Sequence, residues 1–211
     1  YNLGISYGKL ELYKEAIDAF NQVVRIDPDN VSAYYNLGQM HRKLGLPDKA
    51  SEYYQQVIRI KPDEGNVHFA LGNIYLELGR RRKSLDAFNQ AIRFDPDNPR
   101  AHFSLGYLYN SLGLHTEAIA AYKQAVRVNP DFFKAHFNLA ISYGELNLDK
   151  EAVDAYKQAL RLDPDNVKAH YNLGIEYIIM NDKEGALEHY NILTRLDNKK
   201  ADELADLINE L

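Results

Sequence analysis

The amino-acid sequence predicts an all-α protein, a solenoid of helix-turn-helix units stacked along the chain. Three observations lead to this prediction: a 34-residue period, apolar stripes at helical spacing, and turn residues at fixed places in every unit. The pair Leu37-Gly38 recurs 34 residues later as Leu71-Gly72, and proline recurs in the same way from Pro28 to Pro164. Since the period persists through six units, stacking would bury one continuous hydrophobic core.

Each unit contains two amphipathic helices, described here with Val31 as position 1 of a unit. Apolar side chains at positions 7, 11 and 14 form the first stripe, as in Leu71 and Tyr75. Positions 20, 24, 27 and 30 form the second stripe, as in Ala118 and Tyr122. Both spacings place the apolar residues on one face of a helix. The six tandem repeats occupy residues 1–200, with starts near 31, 65, 99, 133 and 167.

Turn residues separate the helices. Glycine often stands at position 15, between the two helices of a unit, at Gly45, Gly79 and Gly113. Asp-Pro-Asp-Asn follows the second helix at 27–30, 95–98 and 163–166. Proline ends a helix, and the Asp or Asn after it can cap the next one. Small residues, glycine at position 8 and alanine at position 20, should let the paired helices approach closely.

The two ends depart from the repeat. Tyr1 corresponds to position 5, so the first repeat lacks its opening turn and we expect the chain to be part of a longer protein. Residues 201–211 are predicted to form a capping helix that covers the last repeat. Its apolar stripe consists of Leu204, Leu207, Ile208 and Leu211.

Composition limits the possible functions. The net charge of −5 argues against a general nucleic-acid binder, which needs a basic face. No apolar run approaches the ~18 residues of a membrane-spanning helix, so membrane insertion is not expected. Cysteine is absent, which excludes disulfides and thiolate metal sites but leaves the compartment open, with the cytoplasm favoured. No catalytic constellation interrupts the period, so we expect no enzyme activity and no cofactor or metal.

The repeated residues carry a family resemblance. Leu-Gly at positions 7 and 8, Tyr at 11, Ala at 20, Phe or Tyr at 24, Ala at 27 and Pro at 32 resemble the tetratricopeptide repeat. The resemblance covers residues 1 to about 198. It implies a right-handed superhelix whose first helices line a concave groove, and a function in binding other proteins. Position 5 is never basic, so the two-carboxylate clamp of some chaperone-binding members is not expected.

Three columns of the first helices are candidates for contact with a partner peptide. Position 5 is aromatic in every unit and supplies anchors that bury a large area, although packing against neighbouring repeats is the alternative. The anchors are Tyr35, Phe69, Phe103, Phe137 and Tyr171. Position 9 changes from polar to apolar along the chain. Its candidates are Gln39, Asn73, Tyr107, Ile141 and Ile175.

Asparagine recurs at position 6, at Asn36, Asn138 and Asn172. In related tetratricopeptide proteins, including the O-linked N-acetylglucosamine transferase array, asparagines of this column hold the backbone of an extended peptide. The amide offers a donor and an acceptor, which match a peptide unit. Hydrogen bonding within the array is the alternative.

Two further groups of residues have competing interpretations. Four histidines occupy position 4, at His68, His102, His136 and His170. Their spacing favours a structural role over a metal site, because equivalent residues in stacked helices lie about 10 Å apart. Ile178 and Ile179 are expected to lie under the capping helix; left uncovered, they would form a hydrophobic docking patch.

The leading functional hypothesis is a non-catalytic scaffold that holds a partner peptide in its groove. A second hypothesis is a substrate-recruiting module of a larger enzyme, such as a glycosyltransferase similar to the O-linked N-acetylglucosamine transferase. A third is self-association through the ends of the array.

Overall fold

The computed structural model describes residues 1–210, and all regular secondary structure in that range is α-helical. The helices in chain order are α1 Asn2–Lys9, α2 Tyr13–Ile26, α3 Val31–Lys43, α4 Pro47–Ile60, α5 Gly65–Glu77, α6 Arg81–Phe94, α7 Pro99–Ser111, α8 His115–Val128, α9 Phe133–Gly144, α10 Asp149–Leu162, α11 Val167–Ile179, α12 Lys183–Leu196 and α13 Asn198–Asn209. The predicted all-α class is therefore confirmed. None of these helices is both long and apolar enough to cross a membrane.

The helices fall into two compact units, Tyr1–Ser104 and the residues from Leu105 onward. In the first unit, two clusters of buried side chains lie between successive helical hairpins. One contains Phe20, Leu37 and Met40, and the other is built around Tyr54 and Leu71. In the second unit, the core near the C-terminal end joins α12 and α13.

The turn inside each repeat contains a residue in the left-handed backbone region. In three repeats this residue is the predicted glycine, with φ between 68° and 73° at Gly45, Gly79 and Gly113. At the equivalent places Glu11, Asn147 and Asn181 adopt φ of 55° to 59°. An L-residue is strained there, which explains the frequency of glycine at this position.

Asparagine caps start three of the first helices, as the Asp-Pro-Asp-Asn motif predicts. The side-chain oxygens of Asn30, Asn98 and Asn166 accept from the backbone N–H three residues on, at 2.9, 3.1 and 3.0 Å. The predicted close approach of paired helices is also present. A Cβ on Gly38 would lie 2.7 Å from the Tyr54 ring, so the glycine leaves room for that ring.

The last helix, α13, begins at Asn198, three residues before the predicted start at 201, because the Asp197 carboxylate caps it. Asp197 Oδ1 accepts from the Lys200 backbone N–H at 3.1 Å. Leu204 and Ile208 are buried, and Leu207 is half-buried. Leu204 covers Gly174 of α11, whose Cβ would lie 2.6 Å from the leucine side chain. The predicted contribution of Leu211 lies outside the described residues.

Candidate functional site

The position-5 rings from Tyr35 to Tyr171 are half-buried, and three of them pack on an aromatic residue of their own repeat. Tyr35 lies 5.6 Å from Tyr54 and Phe69 lies 6.0 Å from Phe88, between ring centroids. Phe137 meets Tyr156 edge to face at 5.7 Å. Contacts with the neighbouring repeat are also present, since Arg100 lies 5.2 Å from the centroid of the Phe69 ring and Tyr35 packs against the cluster that contains Leu71. Phe103 is also half-buried, and Lys200 Nζ lies 4.3 Å from the centroid of the Tyr171 ring.

The position-6 asparagines direct their amide nitrogens towards the array. Asn36 Nδ2 donates to the Ser32 carbonyl at 2.7 Å, and Asn138 Nδ2 donates to the Lys134 carbonyl at 2.8 Å. Asn172 Nδ2 donates to the Tyr156 hydroxyl at 3.1 Å. Asn36 Nδ2 also donates to the Tyr1 hydroxyl at 3.1 Å, so hydrogen bonds within the array account for both donors of Asn36 and for one donor each of Asn138 and Asn172. Among residues 1–210, no hydrogen bond is recorded to the three Oδ1 atoms, which are acceptors for a backbone N–H.

The position-9 side chains differ in exposure. Gln39 is half-buried, and Asn73 Nδ2 donates to the Phe69 carbonyl at 2.9 Å. Tyr107 is the most open member, with 50% of its surface exposed. Ile141 and Ile175 are half-buried. The column thus offers polar groups in the first unit and apolar surface in the second.

A cavity of about 450 Å³ in the second unit brings three of the candidate residues together. Ile141, Asn172 and Ile175 line it, from helices α9 and α11. The other lining residues are Gly144, Glu145, Asn147, Tyr156, Glu176 and Ile179. This volume suits one large side chain or small group, and the mixture of apolar walls with a few polar atoms is typical of binding pockets.

Glu176 is the unusual residue of this cavity. It is 7% exposed, and its Oε2 atom is buried without a hydrogen-bond partner in the described part of the chain. Burial, with a smaller contribution from the Asp149 carboxylate, raises the pKa of Glu176 from 4.5 to about 7. A buried carboxyl without a partner is energetically costly and calls for an explanation.

The backbone at the end of α9 leaves room for this carboxyl. A Cβ on Gly144 would lie 2.7 Å from Glu176 Oε1, so a larger residue at 144 would press on it. Tyr156, on the opposite wall, accepts from Asn172 through its hydroxyl, and burial raises the pKa of the phenol. The phenol therefore keeps its proton near neutral pH.

Glu176 was not predicted because position 10 belongs neither to the predicted apolar stripe nor to the predicted groove columns. Its members in the other repeats are the buried apolar residues Met40, Ile74 and Leu108 and the serines Ser6 and Ser142. A glutamate in such a column was the available signal. Ile178 packs against the α12–α13 core, as expected. Ile179 is 58% exposed and lines the cavity, so the expectation that the capping helix covers it is wrong.

The position-4 histidines hold the turns between repeats. In His68, His102, His136 and His170, Nε2 lies 2.8 Å from the carbonyl of the proline six residues earlier. A carbonyl only accepts, so Nε2 carries the proton in each ring. The proposed structural role is thereby supported by a specific hydrogen bond.

Comparison with known proteins agrees with the helical pattern. The sequence model described as "Tetratricopeptide repeat" matches residues 1–65, 69–127 and 111–147, and that described as "TPR repeat" matches 149–177. No curated protein sequence matches the chain significantly.

Several solved structures are similar. A crystal structure of MamA is 27% identical, with a TM-score of 0.74, over 79% of this chain and 97% of MamA. YrrB, described as a TPR protein with an unusual peptide-binding site, is 20% identical, with a TM-score of 0.79, over 90% of this chain and 99% of YrrB. PilF of Pseudomonas aeruginosa is 17% identical, with a TM-score of 0.78, over 97% of this chain and 94% of PilF. The likeness to YrrB and PilF concerns the fold alone.

Proposed function

Because the chain belongs to the tetratricopeptide repeat family, we propose that it is a non-catalytic scaffold that binds an extended segment of a partner protein. The segment lies on the first helices of the repeats. The observation that carries this proposal is the cavity of the second unit, where Ile141, Asn172 and Ile175 meet beside an unpaired carboxyl.

Two kinds of contact support binding of an extended segment. The half-buried position-5 rings are already ordered by their ring partners, so apolar side chains of the segment would cover them at little entropic cost. The Oδ1 atoms of Asn36, Asn138 and Asn172 would accept from backbone N–H groups of the segment. Each such hydrogen bond contributes about 1 kcal/mol net.

Peptide selection tests the proposal. A random peptide library is panned against the chain and against the triple variant Asn36→Ala/Asn138→Ala/Asn172→Ala. A matched control, Gln22→Ala/Asn89→Ala/Gln158→Ala, removes three exposed amides from second helices. We expect the same peptides to enrich on the chain and on the control but not on the triple variant. Equal enrichment on all three proteins, or on none, would contradict binding through the asparagine column.

Self-association is a second candidate, favoured by apolar side chains left open at the N-terminal repeat. Leu3 and Leu10 of this repeat are 59% and 69% exposed. Light scattering over a range of protein concentrations tests this candidate. Self-association is supported if the mass of the chain rises with concentration while the mass of a Leu3→Lys/Leu10→Lys variant stays at the monomer value. A constant monomer mass excludes it.

A further inference from the structure

We propose, building on the proposed peptide binding, that the cavity around Glu176 is a subsite for a cationic side chain. The bound segment would insert a lysine or an arginine, and the Glu176 carboxylate would pair with its charge. The partner segment is therefore basic at one defined position, between residues that lie on apolar surface.

The Glu176 carboxyl is buried and lacks a partner. More than nine-tenths of the residue is buried, Oε2 has no hydrogen-bond partner among residues 1–210, and the residue lines the cavity. An isolated buried carboxylate is unstable, whereas a carboxylate paired with a hydrogen-bonding cation is not. A guest cation would supply the partner that the chain itself does not.

The charged groups around the cavity are acidic. No lysine or arginine is among its lining residues, all of which lie in the described range, and Glu145 adds a second acidic group. Asp149, at the start of α10, acts on Glu176 in the same sense. The cavity also borders Gly144, the last residue of α9, where the helix dipole contributes negative potential. These groups all favour a cation.

The walls of the cavity suit the stem of a lysine or an arginine in shape and chemistry. Ile141, Ile175 and Ile179 provide aliphatic surface on the way to the carboxyl. Lysine and arginine bury their methylene stems on apolar surface while their charged ends reach polar groups. A cavity of about 450 Å³ has room for either side chain. An acidic segment would meet repulsion, and an uncharged apolar segment would leave the carboxyl unpaired.

The test extends the peptide selection to the isosteric variant Glu176→Gln. Glu151→Gln is the matched control, because Glu151 is an exposed carboxylate on α10 and the change in net charge is the same. We expect peptides selected on the chain to share a lysine or arginine, and to bind Glu176→Gln at least about tenfold more weakly, as for loss of a buried charge pair. The control should bind them unchanged.

A peptide substitution makes the same test without altering the protein. In a selected peptide that contains lysine, norleucine replaces that lysine and removes only the ammonium group. On the unmodified chain we expect a loss of about tenfold or more, and on Glu176→Gln little further loss. For a selected arginine, citrulline serves in the same way.

The outcomes separate the subsite from the proposed function. Peptides that depend on the asparagine column but lack a shared basic residue, or that bind Glu176→Gln equally well, would overturn the subsite and leave groove binding intact. Enrichment of no peptide on any protein would overturn both.

Discussion

Replacement of Glu176 by glutamine should stabilise the protein in a pH-dependent way. Glutamine keeps the shape of the side chain and removes the charge. In the folded chain the pKa of Glu176 is raised to about 7 by burial, against an ordinary value of 4.5 for the unfolded chain. Between these values the unfolded chain loses the Glu176 proton while the folded chain retains it, so the free energy of unfolding falls as pH rises.

The magnitude follows from the difference between the two pKa values. A difference of about 2.5 units at ~1.4 kcal/mol per unit gives a stability loss of about 3 kcal/mol at most in the wild-type protein. This loss is absent below about pH 4, develops between 4.5 and 7, and is complete near pH 8. The Glu176→Gln protein lacks this contribution. Other titrating groups are common to both proteins and cancel in the comparison.

Urea denaturation at about pH 4, pH 6 and pH 8 measures the effect as a difference in unfolding free energy. Repeat arrays can unfold in more than one step, so far-UV circular dichroism and tyrosine fluorescence are followed together. We expect the variant and the wild-type protein to differ little at the lowest pH and to diverge as pH rises. A constant difference at all three pH values, or a less stable variant at about pH 8, would refute the reasoning.

Three further predictions concern the repeat itself. Gly45→Ala should lower the free energy of unfolding by about 1 kcal/mol through backbone strain alone, since nothing lies within 4 Å of the added Cβ. Glu11→Gly, at the equivalent place, should raise the free energy of unfolding by up to ~1 kcal/mol. Thermal unfolding measures both variants, and a change of the same sign and size in the two would contradict this prediction. Gly72→Ala should lower the free energy of unfolding by about 1–3 kcal/mol in urea denaturation, because its Cβ would lie 2.4 Å from the Phe88 ring. Gly8→Ala is the control and should leave the free energy of unfolding unchanged, because its Cβ meets only the flexible Met40 side chain, at 3.4 Å. His189 is buried, and its Nδ1 atom lies 2.9 Å from Nδ1 of His170. Burial and then the neighbouring His170 lower the pKa of His189 to about 4, which histidine NMR should measure; titration near 6.5 would contradict this prediction. Because the unfolded chain binds this proton at higher pH, the free energy of unfolding should fall as pH drops from 6.5 to 4.

Much of the fold was predictable because residues with the same packing role recur at equivalent positions of several repeats. Leu37 and its equivalents from Leu71 to Leu173 are buried in the core, Gly38 leaves room for the Tyr54 ring, and Asn30 caps the next helix. Each of these requirements is local, since it follows from helix periodicity, steric room or an unsatisfied helix terminus. The helix order and the turns therefore follow from residue spacing.

The candidate site was only partly predictable, because exposure and core packing look alike in a repeat column. Ile141, Asn172 and Ile175, from two of the predicted groove columns, meet in one cavity. Tyr156 stands at a position assigned to the core and Glu176 at one assigned to neither core nor groove, and only the three-dimensional arrangement shows that both line the cavity. Ile179 remains exposed, although its neighbour Ile178 packs against the α12–α13 core and Leu204 of α13 covers Gly174.

Methyl NMR of the isoleucine residues tests the central claim most directly. The strongest peptide from the selection is titrated into the labelled protein. Binding along the first helices predicts the largest shift changes at Ile141, Ile175 and Ile179, which line the cavity, and little change at Ile58 and Ile92 on second helices. Changes concentrated at Ile58 and Ile92, with the three cavity methyl groups unmoved, would contradict the account.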